Sequence, residues 1–220
     1  MPELLNTAIL KETKQFVQET LEGDSSGHDW WHIHRVRSLA ITIGKKEDAD
    51  LFIVELAALL HDIADHKFHD GDDTIGPDVA GKWLSRFDLS DDIITHVCSI
   101  VQDVSYKGAK VATPMQTLEG KIVQDADRLD AIGAIGIARA FAYGGHKGRS
   151  LHDPGIQAEL HSSFEVYKKG TGPTINHFYE KLFLLKDRMN TASGREIARN
   201  RHEFMEQFVA TFLNEWDGSI

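Results

Sequence analysis

Residues 51–62 read LFIVELAALLHD, an apolar segment that ends on a histidine and an aspartate. Glu55 is the only charged residue before that final pair. A segment that is apolar on nearly every side is typical of a helix surrounded by other helices, because it leaves no polar face for water. It is also much shorter than the roughly 20 apolar residues that cross a bilayer. We therefore expect a buried helix in a cytoplasmic protein without a membrane span.

Apolar residues at intervals of three and four continue the helical pattern along most of the chain. The predicted helices cover residues 30–43, 48–63, 79–87, 93–104, 118–132, 135–143, 174–189 and 195–216. The sequence contains neither convincing strand alternation nor an internal repeat. These features predict an all-α fold, a single domain of about nine or ten helices.

Composition and charge exclude several classes of protein. The chain has 220 residues, of which 41% are hydrophobic, and a formal net charge of −10. That hydrophobic fraction supplies a core, which argues against a largely disordered chain. The acidic balance argues against a nucleic-acid binder, whose phosphate contacts need clustered Lys and Arg. A single cysteine, Cys98, excludes a disulfide framework and a multi-cysteine zinc site, whereas 12 histidines suggest a different metal site.

Histidines and aspartates interrupt three of the apolar helices: His32, His61, Asp62, Asp125, Asp127 and Asp130. Each of them also has a structural interpretation, since a buried histidine can bond a carbonyl and a buried aspartate can pair with an arginine. Two histidines with two carboxylates form a mixed nitrogen and oxygen ligand set that suits Mn²⁺, Mg²⁺, Fe²⁺ or another divalent ion. Such an ion, with open positions, lowers the pKa of water and polarises phosphoryl oxygens, which favours a hydrolase.

Three strings along the chain carry a family resemblance. Residues 28–36 read HDWWHIHRV, residues 59–63 read LLHDI and residues 125–133 read DADRLDAIG. In this order they resemble the motifs of the HD-domain metal-dependent phosphohydrolase superfamily. Two further strings, GIARAF at 136–141 and LLKDRMNT at 184–191, are similar to its bacterial YpgQ/YedJ-like subgroup. The resemblance implies a single HD domain over residues 1–220, with an HD core at about 25–135 and a C-terminal helical extension at about 150–218.

The resemblance also implies roles for individual residues. His32, His61, Asp62 and Asp127 match the positions of the metal ligands. They would bind one divalent ion, first of all Mn or Mg, with Fe, Co, Ni and Zn as further possibilities. Asp65 matches the position of a carboxylate that takes the proton of the attacking water, and with Asp62 it forms the expected catalytic pair.

Basic residues near the motifs and in two loops are the candidates for binding the substrate. Arg35 and Arg128 adjoin ligand positions, where each could either bind phosphate or hold a ligand carboxylate. The loop cations would offset the charge of a polyphosphate, although they could equally serve only to keep the loops soluble. The full predicted set is Lys67, Arg35, Arg128, Lys107, Lys110, Lys147 and Arg149.

The function implied by the resemblance is hydrolysis of a phosphorylated small molecule. A nucleotide is the expected substrate, such as a nucleoside or deoxynucleoside triphosphate cleaved to the monophosphate and pyrophosphate. A 5′-nucleotidase and a nucleotide-sensing HD module without turnover are the alternatives. A (p)ppGpp hydrolase is disfavoured, because the additional domains of the bifunctional enzymes are missing and Asp65 is followed by His66 rather than an acid. We expect a monomer or homodimer with neither nucleic acid nor membrane as a partner.

Overall fold

A computed structural model describes residues 2–23, 29–63, 74–104, 113–159 and 172–219. Within these ranges the regular structure is helical, with nine α-helices and one 3₁₀ helix, which confirms the all-α prediction. The α-helices are α1 Pro2–Thr20, α2 Trp30–Lys46, α3 Leu51–Leu60, α4 Ile75–Leu84, α5 Asp91–Asp103, α6 Leu118–Asp130, α7 Gly133–His146, α8 Asn176–Glu180 and α9 Ala192–Trp216. The 3₁₀ helix is Leu182–Arg188.

Aspartate caps determine where α2 and α3 begin, the two helices that lead to the first two sequence motifs. The Asp29 carboxylate accepts a hydrogen bond of 3.0 Å from the backbone N–H of His32 at the start of α2. The Asp50 carboxylate accepts from the N–H groups of Phe52 and Ile53 at the start of α3. Because such caps satisfy N–H groups that have no partner inside the helix, they set its first residue. Helix α3 therefore begins at Leu51, three residues later than its predicted start.

One predicted helix is wrong. Residues 174–189 form two pieces, the short helix α8 and the 3₁₀ helix, rather than one long helix. The break is at Lys181, whose φ of −142° and ψ of −56° leave the helical region. In a 3₁₀ helix residues three apart share one face, so Leu182 and Leu185 are both buried. The apolar spacing of Leu182 and Leu185 therefore belongs to a 3₁₀ helix and not to the predicted α-helix. Helix α1 was not among the predicted segments.

The first of two compact units comprises Met1–Tyr106 and Thr113–Ala126. Its centre is α3, in which the last five residues before the histidine are fully buried. The neighbouring α2 approaches closely through Gly44, where a Cβ would lie only 2.9 Å from the side chain of Leu51. Trp83 of α4 stacks on Phe16 of α1 and donates an indole hydrogen bond of 2.9 Å to Thr13. The apolar α3 is consequently a fixed support for the residues at its end.

The second unit comprises Lys107–Ala112 and Asp127–Ile220. Its core is aromatic. The rings of Phe141, Phe178 and Phe208 pack against one another with centroid distances of 5.9–6.2 Å. The division between the units falls inside α6, which continues without a break to Asp130. Asp127 is therefore carried on the same helix as the last residues of the first unit. The boundaries of the HD core and of its extension stay predictions.

None of the helices in the described part of the chain combines the length and the apolar character that a membrane crossing requires.

Candidate metal centre

Two buried imidazoles meet where α2 and the end of α3 come together. The Nε2 atoms of His32 and His61 lie 3.3 Å apart, and both side chains are 1% exposed. His32 is in the first turn of α2, which the Asp29 cap holds in place. His61 directly follows α3, whose apolar residues anchor it in the core. The two ring nitrogens are thus brought together by helices that are themselves firmly packed.

The backbone determines which nitrogen of His61 is available to a ligand. Its Nδ1 atom lies 2.9 Å from the carbonyl oxygen of Ala58. Because a carbonyl only accepts hydrogen bonds, Nδ1 carries the proton, and in the neutral ring the lone pair is on Nε2. A backbone carbonyl on the second nitrogen is the usual arrangement for a histidine that binds a metal. The lone pair of His61 consequently points to the side where His32 lies.

Carboxylates complete the cluster on the same side. The Oδ2 atom of Asp62 lies 3.4 Å from Nε2 of His32 and 3.6 Å from Nε2 of His61. Asp127 of α6 offers a carboxylate oxygen that lies, with donor atoms of the same two histidines, in a group no wider than 4.8 Å. The structure therefore brings each predicted carboxylate ligand close to both histidines.

The spacing of these donor atoms fits a single divalent ion. Two neighbouring ligands that each bind an ion at about 2.1 Å lie about 3.0 Å apart in octahedral geometry and about 3.4 Å apart in tetrahedral geometry. The observed separations among His32, His61 and Asp62 are 3.3, 3.4 and 3.6 Å. Only small adjustments would bring these three atoms into contact with one ion. The mixed nitrogen and oxygen set suits Mn²⁺, Fe²⁺ or Mg²⁺ better than a thiophilic ion.

The other aspartates and the arginine of α6 make structural contacts. Asp130 is 3% exposed and pairs with Arg139 of α7. Arg128 is buried and donates to the backbone carbonyl of Arg188. The sequence predicted phosphate or a ligand carboxylate as the partner of Arg128, not this backbone carbonyl. Asp125 is fully buried in the same helix.

The basic residues predicted to bind substrate are only partly described. Arg35 is half-buried on α2, while Lys147 is exposed and Arg149 half-buried after the end of α7. The cationic groups of Lys147 and Arg149 each lie 5.6 Å from the centre of the Tyr143 ring. Asp65, Lys67, Lys107 and Lys110 lie outside the described residues.

His177 lies close to the positive charges of Lys181 and Arg149, which affect its pKa. Burial, together with the charges of Lys181 and Arg149, lowers the pKa of His177 to about 3. Because the imidazole is neutral at physiological pH, it adds no charge to these two cations. Arg149 therefore lies in a locally basic part of an acidic protein.

Sequence reasoning missed two arginines that bind the end of α6. Arg139 pairs with Asp130, and Arg201 of α9 donates to the carbonyl oxygen of Leu129. Arg139 lies in the string GIARAF, whose similarity to a subgroup of the family does not indicate this ion pair. Arg201 is 72 residues from its acceptor, so no local pattern could have indicated the contact.

Comparisons with known proteins identify the family of this chain. The sequence model of the HD domain family matches residues 30–132. The uncharacterized protein YpgQ of Bacillus subtilis is 44% identical over 209 residues, which are 91% of this chain and 93% of YpgQ. The crystal structure of an HD-superfamily hydrolase from Bacillus thuringiensis is 42% identical with a TM-score of 0.77, covering 96% of this chain and 98% of that one. The crystal structure of B. subtilis YpgQ in complex with ADP has a TM-score of 0.75 at 39% identity, covering 96% of both chains.

Proposed function

This chain belongs to the HD domain family of metal-dependent phosphohydrolases, and from that premise we propose that it hydrolyses nucleotides. The proposed reaction cleaves a nucleoside or deoxynucleoside triphosphate to the monophosphate and pyrophosphate. The observation that supports a hydrolytic site is the close group of donor atoms from the buried His32 and His61 and the partly exposed Asp62. The YpgQ crystal structure with ADP supports the choice of a nucleotide.

We assign the metal ligands to His32, His61, Asp62 and Asp127. A divalent ion bound by them would act as a Lewis acid that polarises a phosphoryl oxygen and acidifies a water molecule. The chain contributes the orientation: the bond from His61 Nδ1 to the Ala58 carbonyl holds the ring so that Nε2 faces His32 and Asp62. A ligand set that is already arranged in the folded protein needs little reorganisation during the reaction.

Asp65 is the proposed proton acceptor. It follows His61 by four residues and Asp62 by three, a spacing that keeps it close to both along the chain. As the water oxygen forms its bond to phosphorus, the proton of the water would pass to the Asp65 carboxylate. The bond from the attacked α-phosphorus to the oxygen that bridges to the β-phosphorus breaks, and pyrophosphate leaves with the electron pair of that bond.

Cations supplied by the chain would neutralise the substrate phosphates. Lys147 and Arg149 are the described candidates, and Lys67, Lys107 and Lys110 are the candidates outside the described residues. With a net charge of −10, the protein needs such local positive charge to receive a polyphosphate. For Arg35 and Arg128 the proposed part is to hold ligands and helix ends rather than to bind substrate.

The first experiment identifies the bond that is cleaved. The protein is incubated with Mn²⁺ and a panel of nucleoside and deoxynucleoside tri-, di- and monophosphates, and the products are followed by ³¹P NMR. We expect triphosphates to yield a monophosphate and pyrophosphate in equal amounts. Orthophosphate released from monophosphates would instead identify a 5′-nucleotidase. Thermal stabilisation by a nucleotide without any product would identify a nucleotide-sensing module.

The second experiment measures the effect of the metal on stability. Mn²⁺ at 100 times its Kd is expected to stabilise the folded protein by about 2.7 kcal/mol, because it binds the native state only. For a chain of this size that corresponds to a rise in Tm of roughly 5–10 °C, which EDTA should reverse. In the variant His61→Gln the rise should disappear, whereas it should persist in His146→Gln, which alters an exposed histidine at the end of α7. An equal rise in both variants would contradict the ligand assignment.

A further inference from the structure

The end of α6, which carries Asp127, is held by arginines from two later helices of the chain. Arg201 of α9 donates to the carbonyl oxygen of Leu129. Arg139 of α7 pairs with the carboxylate of Asp130. The carbonyl oxygen of Leu129 also accepts a backbone hydrogen bond of 3.2 Å from the N–H of Ile132 in the turn after the helix. Arg201 thus adds a second hydrogen bond, from a distant helix, to a carbonyl two residues after the proposed metal ligand.

The turn that follows α6 is shaped to receive the stem of Arg201. Gly133 has a φ of +76°, a conformation that other residues rarely adopt. A Cβ at this position would lie 2.9 Å from Cγ of Arg201 and 3.1 Å from its Cβ and Cδ. The arginine side chain therefore packs directly on the backbone of the turn, and its guanidinium reaches the helix end from a defined direction.

The same helix end offsets part of the cost of burying the charge of Arg201. Burial lowers the pKa of Arg201, and the charge of Asp130 acts in the opposite direction. Asp130 is itself buried and already paired with Arg139. The buried carboxylate of Asp130 thus pairs with the guanidinium group of Arg139, and its negative charge also favours the charged form of Arg201. Removing one partner of such a buried network is costly, because the remaining charges lose their compensation.

We propose that Arg201 is a positioning residue for Asp127: by capping the Leu129 carbonyl, it fixes the last turn of α6 and hence the direction of that carboxylate. The proposal rests on the proposed function, because it takes Asp127 as a metal ligand. The last turn of a helix has few hydrogen bonds of its own, so a bond from a distant helix restricts the motion of that turn and of a ligand carried on it. Residues that orient a ligand from behind typically change metal affinity by about 10–100-fold when they are replaced.

The test compares the Mn²⁺ affinity of three variants, measured from the EPR signal of free Mn²⁺ during titration. Arg201→Met keeps a long stem against Gly133 but removes the donors, so we expect Kd to rise by about tenfold. Arg201→Lys retains a charge and one donor and should recover part of the affinity. Arg199→Met changes an exposed arginine of the same helix and should bind as the wild type does. Equal affinity in Arg201→Met and the wild type would overturn the proposal.

Thermal melting separates positioning from a general loss of stability. If Arg201 positions Asp127, Arg201→Met should reduce the increase in Tm that Mn²⁺ produces, beyond any lowering of Tm in EDTA. If Arg201→Met lowered Tm by the same amount with and without Mn²⁺, the role of Arg201 would be structural only, and the inference would be overturned. The variant Asp127→Ala distinguishes a failure of the ligand assignment from a failure of the positioning role. Mn²⁺ binding at wild-type affinity in Asp127→Ala would refute the ligand assignment itself, whereas a normal Arg201→Met beside a defective Asp127→Ala refutes only the positioning role.

Discussion

Replacement of Asp62 by alanine is expected to abolish Mn²⁺-dependent hydrolysis, with a loss of at least about 1,000-fold in kcat, because metal catalysis supplies several kcal/mol of transition-state stabilisation. The carboxylate oxygen lies within 3.6 Å of both histidine Nε2 atoms. Its removal would leave two neutral imidazoles and Asp127 to hold a divalent cation. The measurement is the initial rate of pyrophosphate release at saturating nucleotide and Mn²⁺.

The matched control for this change is Asp103→Ala. Asp103 is an exposed aspartate at the end of α5 in the same unit, so its loss removes the same charge without touching the donor atoms. We expect it to retain the wild-type rate. A comparable residual rate in Asp62→Ala and Asp103→Ala would exclude the proposed role of Asp62. Circular dichroism of both variants would establish that each retains its helical content.

The variant Gly136→Ala is expected to destabilise the protein by about 3 kcal/mol or more, because the added Cβ would collide with backbone atoms, which cannot rotate away as a side chain can. A Cβ at Gly136 would lie 2.2 Å from the carbonyl oxygen of Ala131 and 2.5 Å from its carbonyl carbon. These are backbone atoms, so relief requires α7 to move away from the turn after α6. Urea unfolding at equilibrium, in the presence of EDTA, measures the effect without a contribution from metal binding.

Gly145→Ala is the control on the same helix. No atom outside its immediate neighbours lies within 4 Å of a Cβ at this position, and the residue is exposed. Alanine favours the helix over glycine by roughly 1 kcal/mol, so this variant should be as stable as the wild type or more so. If both glycine variants unfolded at the same urea concentration, the close contact at Gly136 would be refuted.

The sequence was sufficient for the helical class and for most helix positions. Apolar spacing depends on 3.6 residues per turn, and this local regularity is written directly in the order of residues. It located α2, α3, α5 and α6 to within a few residues, and the order of the three motifs indicated the family. The caps at Asp29 and Asp50 are also local signals, and the Asp50 cap marks the start of α3 at Leu51.

Where local patterns were ambiguous, longer-range packing decided. The spacing of residues 174–189 is compatible with an α-helix and with a 3₁₀ helix, and burial of Leu182 and Leu185 accompanies the second. The backbone of Lys181 marks the change between them. Propensity is a weak preference, amounting to fractions of a kcal/mol per residue, and tertiary contacts readily override it.

For the metal centre, the sequence by itself determined which residues are the candidate ligands, because residue type and helical position are local properties. Only the tertiary structure decided that the Nε2 atoms of His32 and His61, 29 residues apart, lie 3.3 Å from each other. It also decided that the Ala58 carbonyl selects the tautomer of His61 and that Arg201 caps the helix of Asp127. Distances and directions between side chains depend on how separate helices pack, and no spacing along the chain records that packing.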